Sequence, residues 1–143
     1  RRGDIKSPLL RKGGTVFGPK PRDYSFKMNK KTRQLARKSA LTLKAGNEAI
    51  VIVQDFSYDE PKTSQVADML SALEVSGKKA LILTGETDMI IYKSARNIPG
   101  VKVLEGYKPN TYDIMNADVL VIQESALTAL ENSIEGKTEE AAA

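Results

Sequence analysis

The chain has 143 residues, with 22 Lys and Arg against 18 Asp and Glu, and it contains neither Cys nor His. The missing Cys excludes disulfides, thiolate nucleophiles and cysteine metal sites, and the missing His excludes the commonest general base and transition-metal ligand. Residues 1–44 carry fourteen basic and two acidic side chains, a net charge of +12, whereas the remaining residues carry a net charge of −8.

The length allows one compact domain of about a hundred residues beside a basic arm. No apolar run approaches the ~18 residues that span a bilayer, and no apolar segment typical of a secretory signal opens the chain. We therefore expect a soluble, cytoplasmic protein with no membrane partner. The chain begins with Arg1 rather than Met, so we also expect part of the natural chain to precede it.

Residues 1–28 are predicted to form an extended, irregular arm. Four Gly and three Pro interrupt this segment, and neither a period of two nor a period of 3.6 is sustained along it. The arm has too little apolar material to fold alone, so we expect it to become ordered only on a partner. Its dense positive charge makes a polyanion the natural partner.

The composition of the arm favours nucleic acid among polyanions. Its Lys and Arg side chains can neutralise phosphates, and Gly13 and Gly14 let the main chain approach phosphate oxygens. Phe17 and Tyr24 stand among the charges, where they could stack on unpaired bases. The alternative is a solvated basic tail without a fixed partner. A nucleotide phosphate loop is not expected, because Pro19 stands where that loop requires Lys.

Residues 30–45 are predicted to form a helix that Asn29 caps and Gly46 ends. Helical spacing divides it into an apolar docking face and a basic outer face. The predicted docking face comprises Thr32, Leu35, Ala36, Ser39, Ala40 and Leu43, and the outer face comprises Lys30, Lys31, Arg33, Arg37, Lys38 and Lys44. Leu41 falls on the basic face, where only a contact with the arm would account for it.

After Gly46, short apolar strands alternate with helical segments. Strands are predicted at residues 49–53, 79–84, 101–104 and 118–122, and helices from Pro61 to Gly77, over 87–95, around 112–115 behind a cap at Asn110, and behind a cap at Ser125. This alternation predicts a three-layer α/β fold, a four-stranded parallel sheet with helices on both faces, preceded by the extended basic arm. The predicted domains are the arm at 1–28, the α/β domain at 29–134 and a disordered acidic tail at 135–143.

Acidic residues follow the predicted strands and form a second candidate site. They are Asp55, Asp59, Glu60, Glu86 and Asp88. The carboxyl ends of parallel strands meet at one edge, so these side chains could hold Mg²⁺, or Asp55 could accept a phosphoryl group. The favoured interpretation is that they cap helices and line a solvated rim. We therefore predict no catalytic residue, no metal, no cofactor and no small-molecule substrate.

Arg96 and Asn97 lie in a predicted turn beside the sheet. They could contact RNA, or they could cap a helix and anchor a loop, and the residues alone favour neither interpretation.

Several motifs resemble the bacterial large-subunit ribosomal protein L4 family. They are Arg-Gly-Asp-Ile-Lys-Ser-Pro at residues 2–8, Gly-Gly-Thr-Val-Phe-Gly-Pro-Lys-Pro-Arg-Asp-Tyr at 13–24, Asn-Lys-Lys-x-Arg-x-Leu-Ala at 29–36, Ser-Ala-Leu at 39–41, Pro-Lys-Thr at 61–63, Ala-Arg-Asn-Ile-Pro at 95–99 and Asn-x-Tyr-Asp at 110–113. The similarity runs in order from Arg2 to about Asn132. The resemblance implies a structural, non-enzymatic protein that binds the large ribosomal RNA early in subunit assembly and contacts neighbouring large-subunit proteins.

The resemblance also implies a sheet order of 1-4-2-3 and a basic loop near the peptide exit tunnel. Family members carry a segment and the outgoing part of that loop before the point where this chain starts, so residues 1–28 would be the returning part. Some members also repress translation of their own messenger RNA. The alternatives are an RNA-binding translational or transcriptional regulator acting off the ribosome, and a receiver-like, Mg²⁺-dependent enzyme that uses Asp55.

The predicted ribosomal RNA contacts come from three sources. The matched motifs imply Arg2, Lys6, Ser7, Gly13, Gly14, Lys20, Arg22, Lys30, Lys31, Arg33 and Arg37. Charge and position add Arg1, Arg11, Lys12, Lys27 and Lys38, and chemistry adds the aromatic rings of Phe17 and Tyr24 and the polar pair Arg96 and Asn97.

Overall fold

The structure of the chain is a computed structural model that describes Ser7, Leu10, Thr15 and residues 17–135. The predicted contacts Arg1, Arg2, Lys6, Arg11, Lys12, Gly13 and Gly14 lie outside the described residues, as do residues 136–143 of the predicted tail.

Five helices and four strands alternate along the described chain. The helices are α1 (Lys30–Gly46), α2 (Thr63–Ala72), α3 (Met89–Ala95), α4 (Thr111–Asn116) and α5 (Glu124–Glu135), and the strands are β1 (Ile50–Val53), β2 (Ala80–Thr84), β3 (Val101–Glu105) and β4 (Val119–Gln123). Each predicted element is present, with its ends moved by a few residues.

The strands form one parallel sheet in the order β1-β4-β2-β3. In the central strand β2, Ile82 pairs with Val121 of β4 on one side and with Val103 of β3 on the other. This order is the one that the family resemblance implied. Strands β2 and β4 are buried almost throughout, as expected when helices cover both faces.

Successive side chains of β2 enter two separate cores, because they point to opposite faces of the sheet. Leu81 and Leu83 pack in a core with residues from α1, α4 and α5. Ala80 and Ile82 pack in the other core with residues from α2 and α3. The predicted three-layer α/β fold is therefore confirmed.

Helix α1 ends at Gly46 and α2 at Ala72, but the left-handed residue that follows each of them is a glutamate rather than a glycine. Glu74 adopts a left-handed φ of 58° after α2, and Glu48 adopts a φ of 54° after α1. After α2 the amides of Glu74 and Val75 donate to carbonyls of the last helical turn, at 3.1 and 2.9 Å. This is the Schellman arrangement, and Val75 joins the core beside the helix it closes. Helix α2 consequently ends five residues before Gly77.

Candidate nucleic-acid interface

The described part of the arm has no helix or strand before α1, and every side chain from residue 17 to residue 33 is exposed. Three of its exposed side chains, Lys20, Arg22 and Lys27, carry positive charge. Its aromatic rings are exposed as well, Phe17 at 94% and Phe26 at 84%. Exposed rings between basic side chains match the chemistry of single-stranded nucleic acid, which presents phosphates and bases together.

Phe26 was not among the predicted contacts, although the same pattern of an aromatic ring among charges marked Phe17 and Tyr24. Phe26 lies directly before Lys27 in the sequence. The signal was therefore present in the sequence at this position too.

Tyr24 has a partner within the arm. The guanidinium carbon of Arg22 lies 4.4 Å from the centroid of the Tyr24 ring, a cation–π contact. Both side chains are exposed, so the pair stands on the surface of the arm rather than in the core.

Helix α1 continues the basic surface of the arm. It begins at Lys30, where the carbonyl of Asn29 accepts the amide of Arg33 at 3.2 Å, while the Asn29 side chain makes no capping hydrogen bond. The predicted cap is therefore in the expected place but acts through its main chain alone. Lys30, Lys31, Arg33 and Lys38 are exposed, as predicted for the outer face.

The predicted docking face of α1 is partly wrong. Leu35 and Leu43 are 65% and 48% exposed, whereas Leu41, assigned to the basic face, packs against the core beside Ala40. The buried stripe is therefore rotated toward the basic residues.

Two basic side chains make this rotation possible, because their stems are apolar and their charged ends find oxygen partners. Lys44 is buried, and its ammonium group donates to the carbonyl of Ala117 at 2.5 Å. Arg37 is half-buried, and its guanidinium donates to the hydroxyl of Ser133 at 2.7 Å. The hydroxyl of Ser133 in turn donates to the carbonyl of Tyr107 at 3.1 Å. Lys44 therefore belongs to the packed side of α1, and the two contacts fix the helix to the body.

Arg96 and Asn97 lie on a different surface from α1. They are exposed and follow α3, which packs on the opposite face of the sheet from α1. The structure does not bring this pair together with the basic outer face, and its contact with RNA stays a prediction.

The acidic residues at the carboxyl ends of the strands have partners within the chain. The Asp55 carboxylate accepts the amide and the hydroxyl of Ser125 at 3.0 and 2.8 Å. Helix α5 starts at Glu124, so Ser125 lies inside its first turn and Asp55, rather than Ser125, caps the helix from outside. Asp88 accepts the amides of Ile90 and Ile91 and caps α3.

Of the other predicted acids, Glu86 lies near these two, whereas Asp59 and Glu60 do not. Glu60 pairs with Lys62 at 2.8 Å. Asp55, Glu86 and Asp88 line one open depression, and neither Glu60 nor Asp59 lines it. Within the described chain, no group of three or more acidic side chains is arranged to hold a metal ion.

Glu105, at the end of β3, is the strongest electrostatic feature of this rim. Hydrogen bonds from Lys108 and from the Thr87 hydroxyl, the latter at 2.7 Å, stabilise its carboxylate and lower the pKa of Glu105 to about 2. No local sequence pattern indicates this network, because its members are brought together by the turns that follow β2 and β3.

A glycine allows two backbone segments of the rim to pack closely together. A Cβ atom on Gly106 would lie 2.6 Å from the carbonyl oxygen of Ala126 in α5, so only glycine allows this close approach. The Gln123 amide group also bridges the neighbouring segments, donating to the carbonyl of Phe56 at 3.0 Å and accepting the amide of Gly85 at 3.3 Å. The rim is therefore a structural edge held by hydrogen bonds within the chain, whereas the described arm and the first turn of α1 form a continuous exposed stretch with several positive charges.

Among the residues that the structure covers, no helix is both long enough and apolar enough to cross a membrane.

Comparison with known proteins shows the family of the chain. Residues 1–133 match the model of the ribosomal protein L4/L1 family. The chain is 52% identical over 132 residues to the large ribosomal subunit protein uL4 of Bacteroides fragilis, an alignment that covers 92% of this chain and 64% of that protein. It is 48% identical over 134 residues to uL4 of Chlorobium limicola and 44% identical over 134 residues to uL4 of Christiangramia forsetii, with 94% of this chain and 64% of each relative covered. The chain thus spans just under two thirds of the length of these relatives.

Proposed function

Because this chain belongs to the ribosomal protein L4/L1 family, a family of structural proteins rather than enzymes, we propose that it acts as a constituent of the large ribosomal subunit in the cytoplasm. Its activity there is to bind the large ribosomal RNA early in subunit assembly, with its basic loop near the peptide exit tunnel. Neighbouring large-subunit proteins are its further partners.

The observation that carries this proposal is the continuity of exposed positive charge from the arm into α1. Lys20, Arg22 and Lys27 on the arm and the exposed Lys and Arg of α1 follow one another with no buried side chain from residue 17 to residue 33. Each Lys or Arg that neutralises a phosphate releases condensed counterions, and that release is the main source of affinity for RNA.

The α/β body anchors the arm through helix α1. Arg37 and Lys44 attach α1 to residues 96 and 73 positions away in the sequence, Ser133 and Ala117. The middle and the last turn of α1 are therefore held on the body, and the helix carries the arm from there. Docking into folded RNA would then reduce the conformational entropy of the arm, while the structure of the body stays unchanged.

The experiment is a salt titration of the affinity for a large-subunit ribosomal RNA transcript. The double variant Lys20→Gln/Lys27→Gln removes two exposed arm charges, and Lys78→Gln/Lys93→Gln removes two exposed charges from the body as the matched control. If both arm lysines contact phosphates, the slope of log affinity against log salt becomes shallower by about 1.4–1.8 in the arm variant. Equal slopes for the arm variant and the wild-type chain would contradict the proposal.

The chemistry of the arm suits ribosomal RNA and other folded RNA alike, so a second measurement separates the subunit role from a regulatory role off the ribosome. A structural constituent co-sediments with the large subunit and stays bound through a sucrose gradient. A regulator would bind isolated messenger RNA and leave the subunit fraction.

A further inference from the structure

The aromatic side chains of the arm differ in their neighbours. If the arm binds ribosomal RNA, as proposed above, this difference assigns them different roles. The Arg22 guanidinium covers one face of the Tyr24 ring, at 4.4 Å from the ring centroid. Phe17 and Phe26 are 94% and 84% exposed, and no described side chain stacks on either ring. Among the described side chains, one face of the Tyr24 ring is therefore covered and neither face of the Phe17 and Phe26 rings is.

A guanidinium held over an aromatic ring still has N–H donors that do not face the ring. Those donors match the paired oxygens of a phosphate, and the ring restricts the many rotamers that a free arginine would lose on binding. The Tyr24 ring therefore prepares Arg22 for a phosphate. The same contact leaves Tyr24 less able to insert between two bases than a ring with two open faces.

We propose that Phe17 and Phe26 are the base-stacking residues of the arm, and that Tyr24 is a positioning residue that holds Arg22 for a phosphate. Phe26 is thereby assigned to the interface, and Tyr24 changes its role from the one predicted from the sequence. The two phenylalanines are nine residues apart. An extended chain covers ~30 Å over that distance, so the rings reach bases at two separate places along the RNA.

The test compares single variants of the full chain on the large-subunit ribosomal RNA transcript, each titrated over a series of salt concentrations. Phe26→Leu should weaken binding about 5- to 100-fold at every salt concentration and leave the salt slope unchanged, because stacking releases no counterions. Phe17→Leu should behave in the same way. Tyr24→Leu should make the slope shallower by about 0.7–0.9, as Arg22→Gln does.

The pair Arg22 and Tyr24 should also act as a unit. The double variant Arg22→Gln/Tyr24→Leu should bind no more weakly than Arg22→Gln alone, because the ring has no role once its guanidinium is gone. Tyr24→Phe keeps the ring and should bind within about twofold of the wild-type chain. All these side chains are exposed, so the melting temperature of the domain should not change in any variant.

Three results would overturn the assignment. Tyr24→Leu could weaken binding without changing the slope, Phe26→Leu could bind like the wild-type chain, or the losses from Arg22→Gln and Tyr24→Leu could be additive. These failures differ from failure of the proposed function, in which the wild-type chain would itself show no salt-dependent binding to the transcript and both proposals would fall.

Discussion

The arm and the rim at the carboxyl ends of the strands are both rich in charge, but they use it in opposite ways. On the rim, Asp55, Asp88 and Glu105 each accept hydrogen bonds from groups of the same chain. On the arm and α1, basic side chains are exposed to solvent, namely Lys20, Arg22, Lys27, Lys31, Arg33 and Lys38. A carboxylate whose acceptor sites are occupied within the fold contributes to stability, whereas an exposed cation remains available to a phosphate. The sequence favoured helix capping for the acids, and the hydrogen-bond partners confirm it for Asp55 and Asp88.

Deleting residues 1–28 should have the largest effect, because it removes the arm that is proposed to bind RNA. The deletion removes eight Lys and Arg, and we expect the affinity for ribosomal RNA to fall about 1,000-fold near physiological salt. The core should stay intact, because no described side chain between residues 17 and 29 is buried. Filter binding measures the first effect and thermal unfolding the second. Retained affinity would place the RNA contact on the body and contradict its assignment to the arm.

Gly106→Ala tests the rim as a structural edge. The added methyl group would lie 2.6 Å from the carbonyl oxygen of Ala126, and neither backbone segment can move without disturbing α5 or β3. We expect a loss of about 1–3 kcal/mol in the free energy of unfolding, measured in urea, with no change in RNA affinity.

Gly46→Ala is the matched control for that substitution. Nothing lies within 4 Å of a Cβ atom at Gly46, the last residue of α1. Because alanine is the better helix former, this variant should be as stable as the wild-type chain or more stable by up to about 1 kcal/mol. Equal destabilisation by the two variants would contradict the close approach at Gly106.

Glu105 gives the rim a distinct dependence on pH. Its pKa is about 2 in the folded protein against an ordinary value of 4.5, so its carboxylate contributes stability that is fully present above pH 4.5 and is lost as the pH falls toward 2. Glu105→Gln should therefore lower the free energy of unfolding by roughly 2 kcal/mol at neutral pH. The difference from the wild-type chain should shrink steadily from pH 4.5 to pH 2. Urea unfolding across that range, with the exposed Glu86→Gln as control, measures it. A difference that does not depend on pH would contradict the pairing with Lys108 and Thr87.

Asp55→Asn is the mildest test and concerns the helix cap. Asparagine keeps one acceptor oxygen for Ser125 but loses the charge at the start of α5, so we expect a loss of about 0.5–1 kcal/mol in stability. Asp59→Asn, at an exposed position that does not line the same depression, should have a smaller effect. Neither substitution should change RNA affinity. A loss of RNA affinity confined to Asp55→Asn would show that the rim takes part in the interface.

The order of elements and the sheet were predictable from the chain, because periodicity and turn residues are local properties. The alternation of apolar strands and helical segments indicated the three-layer α/β fold, and the family resemblance supplied the strand order. The exact helix ends were less predictable, since Glu48 and Glu74 adopt the left-handed conformation that glycine was expected to supply.

The basic arm was likewise evident from the sequence alone, because the net charge and the aromatic content of a segment follow directly from its residues. Only the tertiary structure decided which side of α1 is buried, since Lys44 and Arg37 turn inward to oxygen atoms of Ala117 and Ser133, far along the chain. It also decided that Asp55 caps α5. In each case a side chain forms a hydrogen bond of about 3 Å with a residue that is distant in the sequence. No local sequence pattern identifies such a partner, because only the fold brings the two residues together.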